Sequence, residues 1–110
     1  MQTNDETLME VYNAARLAVE FAGGMNRTAF MVDTKTHSAV LYQLLVLGRA
    51  SKRLGEEFRA NHPEFPWKTI DALGVDGGDM ELTSAWDILW NDVPEIVTAI
   101  ESIIPHDGDA

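Results

Sequence analysis

The length, charge and cysteine content of the 110-residue chain exclude several classes of protein. Eight Lys and Arg stand against 18 Asp and Glu, a formal charge of −10. Such a surface repels phosphate backbones, so neither DNA nor bulk nucleic acid is an expected partner. The absence of cysteine excludes disulfides and thiolate metal sites. No apolar run could span a bilayer and no signal-peptide pattern occurs, so the sequence predicts a cytoplasmic protein with one domain over residues 1–110.

The first predicted helix covers residues 5–22. Thr3 and Glu6 have the spacing of a capping box, in which two side chains satisfy free amides at a helix start. Gly23 and Gly24 end the helix, because glycine readily adopts the left-handed conformation. Residues 25–32 are predicted to be a connector with one helical turn. The buried stripe follows three-four spacing: Leu8, Val11, Tyr12, Ala15, Ala18, Val19 and Ala22.

The second predicted helix covers residues 33–60, with Asp33 or Thr34 as its cap. Gly48 and Ser51 lie in the middle of its apolar stripe, where small side chains permit close approach of another helix. His62 and Pro63 end this helix, since proline disfavours helical geometry in the preceding residue. The chain has more apolar stripes than one small bundle can bury, which predicts a homodimer with this helix near its centre.

The rest of the chain predicts three shorter helices. Pro66 begins the third helix, which carries Trp67, and the fourth covers residues 81–90. Asp92 has capping spacing to Glu95, so the fifth helix begins there. The segments 74–79 and 106–110 are predicted to be a loop and a frayed tail. No strand alternation occurs. The predicted fold class is therefore all-α, an up-and-down bundle of four to five helices.

Candidate metal ligands do not form a recognisable site. The acids near the glycine-rich loop lack calcium-loop spacing, and turn formation is their commoner role: Asp76, Asp79 and Glu81. The histidines lack zinc-binding spacing, and His62 is better explained as a helix-end group: His37, His62 and His106. We predict no metal and no cofactor.

Two other groups allow a functional or a structural interpretation. Trp86 and Trp90 are four residues apart, so they are neighbours on one helix; base stacking is one use, but packing is favoured. Arg49 and Arg53 have the same spacing and could face a phosphate. An ion-pair face, solvated or between subunits, is favoured over a phosphate site, because Glu56 and Glu57 follow closely.

The segment from Val40 to Trp67 (VLYQLLVLGRASKRLGEEFRANHPEFPW) resembles the HepT-like branch of the HEPN family. The resemblance lies in Leu47-Gly48, Ala50, Lys52-Arg53-Leu54 and Glu56-Glu57, followed by the connector from His62 to Trp67. It continues in the segment WDILWNDVPE, which begins at Trp86. It therefore implies a HEPN-like helical fold over nearly the whole chain.

The resemblance also implies a function. Members are homodimeric, metal-independent ribonucleases of toxin–antitoxin pairs, and a small nucleotidyltransferase partner silences them by adding AMP to a tyrosine. The family's catalytic motif is Arg, a polar residue, three further residues, His, one residue, Tyr. Arginine stabilises phosphate charge, and histidine transfers protons during RNA transesterification.

The expected position of this motif, between Trp67 and Trp86, contains no Arg, His or Tyr: KTIDALGVDGGDMELTSA. No catalytic residue is therefore transferred to this chain. The first hypothesis is a catalytically defective dimeric partner of a nucleotidyltransferase. The second is an active ribonuclease that binds RNA through atypical residues, for which Arg49, Arg53 and His62 are the candidates. The third is a nucleotide-binding or structural helical dimer unrelated to toxins.

Overall fold

A computed structural model describes residues 3–73 and 81–104, and these residues form helices without any strand. The predicted all-α class is confirmed. No helix in the described ranges is both long and apolar enough to cross a membrane. The described elements are α1 (Asn4–Phe21), α2 (Arg27–Val32), α3 (Thr34–Ser51), α4 (Glu56–Asn61), α5 (Trp67–Leu73), α6 (Leu82–Asn91) and α7 (Val93–Ile103).

The longest helices, α1 and α3, pack side by side and form the centre of the fold. Glu10 near the start of α1 pairs with Arg53 just beyond the end of α3, so the two helices are antiparallel. α7 packs on α1, α5 packs on α3, and α6 contacts α7 and α2. The largest side chains that are almost fully buried include Leu8, Phe30, Leu44, Leu47, Ile70, Leu89, Ile96 and Ile100.

Both ends of α1 agree with the sequence-based prediction. The Thr3 hydroxyl accepts a hydrogen bond from the Glu6 amide at 3.1 Å, as predicted for the helix cap, and donates to the Glu6 carboxylate at 3.1 Å, a contact that replaces the reciprocal half of a capping box. Gly24 has a φ of 82°, which side chains with a Cβ rarely adopt, so glycine permits the reversal after the helix. These signals are local, and no tertiary contact is needed to interpret them.

The prediction of one helix over residues 33–60 was wrong in its length. Asp33 caps α3 as expected, but α3 ends at Ser51, whose hydroxyl donates to the Leu47 carbonyl at 2.8 Å. A tight turn follows, in which the Leu54 amide donates to the Ser51 carbonyl. Leu54 in this turn is buried, and Gly55 is the N-cap residue before α4. The break coincides with Gly55, whose backbone is extended (φ −72°, ψ 166°), and glycine is a poor helix former.

The other short elements differ from the predictions in smaller ways. The connector forms a complete helix, α2, whose Asn26 side chain caps it at Ala29. α4 ends before His62, as proline spacing predicted. The predicted cap at Asp92 was wrong: its backbone is helical, it joins α6 to α7, and it makes no capping hydrogen bond. The predicted loop 74–79 and tail 106–110 lie outside the described residues.

Candidate functional site

The two arginines proposed from the sequence lie on one side of an open groove between α1 and α3. Arg49 and Arg53 line it from the α3 side, with Gln43, Val46 and Ala50. The α1 side is formed by Glu10, Asn13, Ala14 and Leu17. We call this surface the α1–α3 groove, which encloses about 460 Å³. It combines an apolar floor with charged groups at one end.

The charged end of the α1–α3 groove is an ion pair that is only half-buried. The Arg53 guanidinium contacts the Glu10 carboxylate, and about 47% and 46% of these side chains remain exposed. Exposed pairs of this kind contribute little to stability, because water screens the charges. The pair is therefore accessible to a second charged partner. The negative charge of Glu10 also offsets part of the positive charge of Arg49 and Arg53.

His62 does not line the α1–α3 groove. It lies in a group of side chains around the α4–α5 connection, which we call the connector cluster: Phe58, Arg59, His62, Phe65 and Trp67. The His62 ring is centred 4.4 Å from the Phe58 ring, and its Nδ1 lies 2.9 Å from the Glu64 carboxylate. This hydrogen bond holds the pKa of the Glu64 carboxyl below its usual range. The groove arginines and His62 are thus parts of different surfaces.

Arg59 has a structural role in the connector cluster. Its Nη1 donates to both carboxylate oxygens of Asp71, at 2.8 and 3.0 Å, and its Nη2 donates to the Ser51 carbonyl at 3.2 Å. The guanidinium also lies 4.7 Å from the Trp67 ring centre. Arg59 therefore connects α4 to α3 and α5, an arrangement that suits the planar guanidinium and its many donors.

Trp67 packs within this cluster. Its ring stacks on Phe65 with 4.8 Å between centres and 15° between planes, and its Nε1 donates to the His62 carbonyl at 2.9 Å. Trp86 also packs internally, against Phe30 at 5.1 Å and Trp90 at 5.6 Å. Trp90 itself is 38% exposed. Packing is the interpretation that these contacts support for both tryptophan groups.

Among the remaining candidate ligands, only Glu81 and His37 lie within the described residues. Asp76 and Asp79 lie outside the described residues, and Glu81 is exposed at the start of α6. Within residues 3–73 and 81–104, no group of three His, Asp or Glu side chains could hold a metal ion. His37 Nδ1 lies 3.2 Å from the Phe30 carbonyl, a contact between α3 and α2. His106 is outside the described ranges.

The sequence-based predictions did not include the α1 side of the groove. Glu10 is 43 residues from Arg53, so no local spacing indicates that they pair. Leu17 lies outside the buried stripe of α1, and 37% of it remains exposed. The sequence signal for this side was that Leu17 and Phe21 are large apolar residues outside the predicted buried stripe of the first helix.

Comparisons with known proteins place the chain among ribonuclease-related sequences. The family model Ribonuclease HepT-like matches residues 11–74, more than half of the chain. A Methanocaldococcus jannaschii protein described as an RNase is 33% identical over 101 residues, which cover 88% of this chain and 84% of that protein. A Thermococcus cleftensis protein described as a ribonuclease HepT is 26% identical over 106 residues, or 93% and 96% of the two chains. No solved structure matches.

Proposed function

Because the chain belongs to the HepT-like ribonuclease family, we propose that it is a dimeric member that does not cleave RNA and that binds a nucleotidyltransferase. The observation that carries this proposal is the segment from Lys68 to Ala85, where the family's catalytic motif is expected. It contains no Arg, His or Tyr. The tyrosine that a nucleotidyltransferase would modify in this motif is therefore also missing, so binding is proposed without AMP transfer at that site.

The chemistry of RNA cleavage supports this assignment. A metal-independent ribonuclease needs a group that transfers protons near neutral pH and a cation beside the scissile phosphate. The ten residues 71–80 contain three aspartates and three glycines, and no group of either kind. Carboxylates near a scissile phosphate would repel its developing charge. Loss of both contributions removes several kcal/mol of transition-state stabilisation.

The second candidate function is an active ribonuclease that uses Arg49, Arg53 and His62. It is favoured by the RNase descriptions of the relatives. Two contacts argue against this ribonuclease. His62 is hydrogen-bonded to Glu64 in the connector cluster, and Arg53 forms an ion pair with Glu10 in the groove. The third candidate, a nucleotide-binding or structural dimer, has only the volume of the open groove in its favour.

Single-turnover cleavage of a labelled transfer RNA tests the first proposal. We expect no cleavage above a control without protein, with or without EDTA, and no growth arrest on expression. A pancreatic ribonuclease sample shows that the substrate is intact and cleavable. Metal-independent cleavage that is lost in Arg53→Ala or His62→Ala would replace the first proposal with the second.

The partner is tested separately, by co-purification with a nucleotidyltransferase encoded in the neighbouring gene. We expect a stable complex without incorporation of labelled AMP into this chain. A matched nucleotidyltransferase from an unrelated gene pair serves as the control. Failure to retain the neighbouring protein above that control contradicts the proposed partnership and leaves the prediction on RNA cleavage unchanged.

A further inference from the structure

The α1 side of the α1–α3 groove presents a row of residues separated by about one helical turn. Glu10, Asn13 and Leu17 line the groove, and Phe21 follows Leu17 by four residues, which extends the row by one turn. Leu17 and Phe21 are 37% and 41% exposed although both are large and apolar. The row is therefore charged at its start and apolar at its end.

The α3 side presents a matching row in the opposite direction. Arg53 and Arg49 lie at the charged end, Val46 follows, and Tyr42 extends the row one turn further. Tyr42 is 62% exposed. Because α1 and α3 are antiparallel, the acidic group of one row lies beside the basic groups of the other, and the apolar ends also lie together.

Exposed apolar side chains are concentrated on these two helices. Four exposed large hydrophobic residues of the described ranges lie on α1 and α3, and three of them belong to the two rows: Leu17, Phe21 and Tyr42. Isolated exposed apolar residues are normal, but rows that border one groove are typical of an interaction surface.

We propose that the partner of the α1–α3 groove is the same groove of a second copy, with a two-fold axis running along the groove. This rests on the dimer named in the proposed function and assigns its surface. A two-fold axis in this direction exchanges the two helices, so α1 of one copy lies against α3 of the other. Four antiparallel helices then pack together, as in a four-helix bundle.

Charge complementarity selects this arrangement over others. With the axis along the groove, Glu10 of one copy lies over Arg49 and Arg53 of the second copy, and the reverse contact forms at the same time. The apolar ends meet in the same way, with Leu17 opposite Val46 of the second copy. An axis across the groove would instead place the charged end of one copy on the apolar end of the other. That arrangement would bury charge against apolar surface, which is unfavourable.

Disulfide cross-linking tests the arrangement directly, because the natural chain has no cysteine. Two single-cysteine chains are made, Leu17→Cys and Val46→Cys, and only one carries an affinity tag. Mixed and oxidised, they should form mainly the mixed disulfide, since these positions face each other across the proposed interface. Each chain alone should cross-link weakly. A mixture of Val46→Cys with Thr98→Cys, an exposed position on α7, is the control.

A charge exchange provides a second measurement that does not depend on oxidation. Glu10→Arg should weaken dimerisation by at least roughly tenfold in equilibrium sedimentation, because like charges then oppose each other. The double variant with Glu10→Arg and Arg53→Glu should restore most of the lost affinity, since it restores opposite charges both within and between copies. Circular dichroism confirms that the variants are folded.

The outcomes separate the surface from the dimer itself. A mass of 12.2 kDa at all concentrations overturns both the dimer and this interface. A dimer whose single-cysteine chains form no preferred mixed disulfide, or form mainly the Leu17→Cys homodimer, overturns the arrangement alone. A double variant as weak as Glu10→Arg also contradicts it. None of these results bears on RNA cleavage.

Discussion

The α1–α3 groove and the connector cluster contain similar residue types but use them differently. Each has arginine beside a carboxylate and an apolar surface: Arg53 with Glu10 in the groove, and Arg59 with Asp71 in the cluster. In the cluster the Arg59 side chain is 23% exposed, donates hydrogen bonds to Asp71 and the Ser51 carbonyl, and lies over the Trp67 ring. In the groove about half of the Arg53 side chain is exposed.

This difference indicates different roles for the two regions. A guanidinium whose donors are used within the chain stabilises the fold and has little capacity to bind a partner. A half-exposed ion pair contributes little to folding and is accessible to another molecule. Variants of the connector cluster should therefore reduce stability, and variants of the groove should change association.

Trp67→Ala should produce the largest loss of stability. The substitution removes the stacking on Phe65, the hydrogen bond to the His62 carbonyl and the surface covered by Arg59. Because the ring is only partly buried, we expect about 3 kcal/mol, the lower end of the range for tryptophan deletion. Urea unfolding measures this loss. Trp90→Ala is the control and should cost less than Trp67→Ala, because 38% of Trp90 is exposed; an equal loss in both would contradict the distinction.

Arg59→Lys should have an intermediate effect. Lysine keeps the charge, but it cannot reproduce the two-oxygen contact with Asp71 or the planar contact with Trp67. We expect a loss of about 1 kcal/mol, because Asp71 is half-exposed and the ion pair is partly screened. The same exchange at exposed Arg27 should change the free energy of unfolding by less than about 0.5 kcal/mol. Indistinguishable values would remove the structural role assigned to Arg59.

Glu64→Gln should have the smallest effect, visible only in acid. The pKa of Glu64 is lowered in the folded state by the hydrogen bond with His62, so this contribution is present above the ordinary value of 4.5. It is lost as the pH falls through the lowered folded-state pKa. Unfolding titrations below pH 4.5 should therefore show a shallower decline in the variant than in the natural chain. Parallel curves would show that the contact does not stabilise the fold.

The sequence predicted well those features that depend on neighbouring residues. The Thr3–Glu6 cap, the reversal at Gly24 and the end of α4 before Pro63 all follow from local backbone and side-chain geometry. It failed at Ser51–Gly55, because the apolar spacing continues from Leu47 to Leu54 and one isolated glycine, Gly55, does not by itself predict the end of a helix. The capping spacing at Asp92 also misled, since the backbone there continues from α6.

For the candidate site, the sequence by itself determined which groups are available: an acidic chain without cysteine, two arginines one turn apart, and no Arg, His or Tyr where the family's motif is expected. Only the tertiary structure decided which groups meet. Glu10 forms an ion pair with Arg53, His62 lies outside the groove lining, and the Arg59 guanidinium lies over the Trp67 ring. The physical reason is that helix periodicity fixes which residues share a face, whereas antiparallel packing of α1 and α3 depends on side-chain contacts between residues distant in sequence.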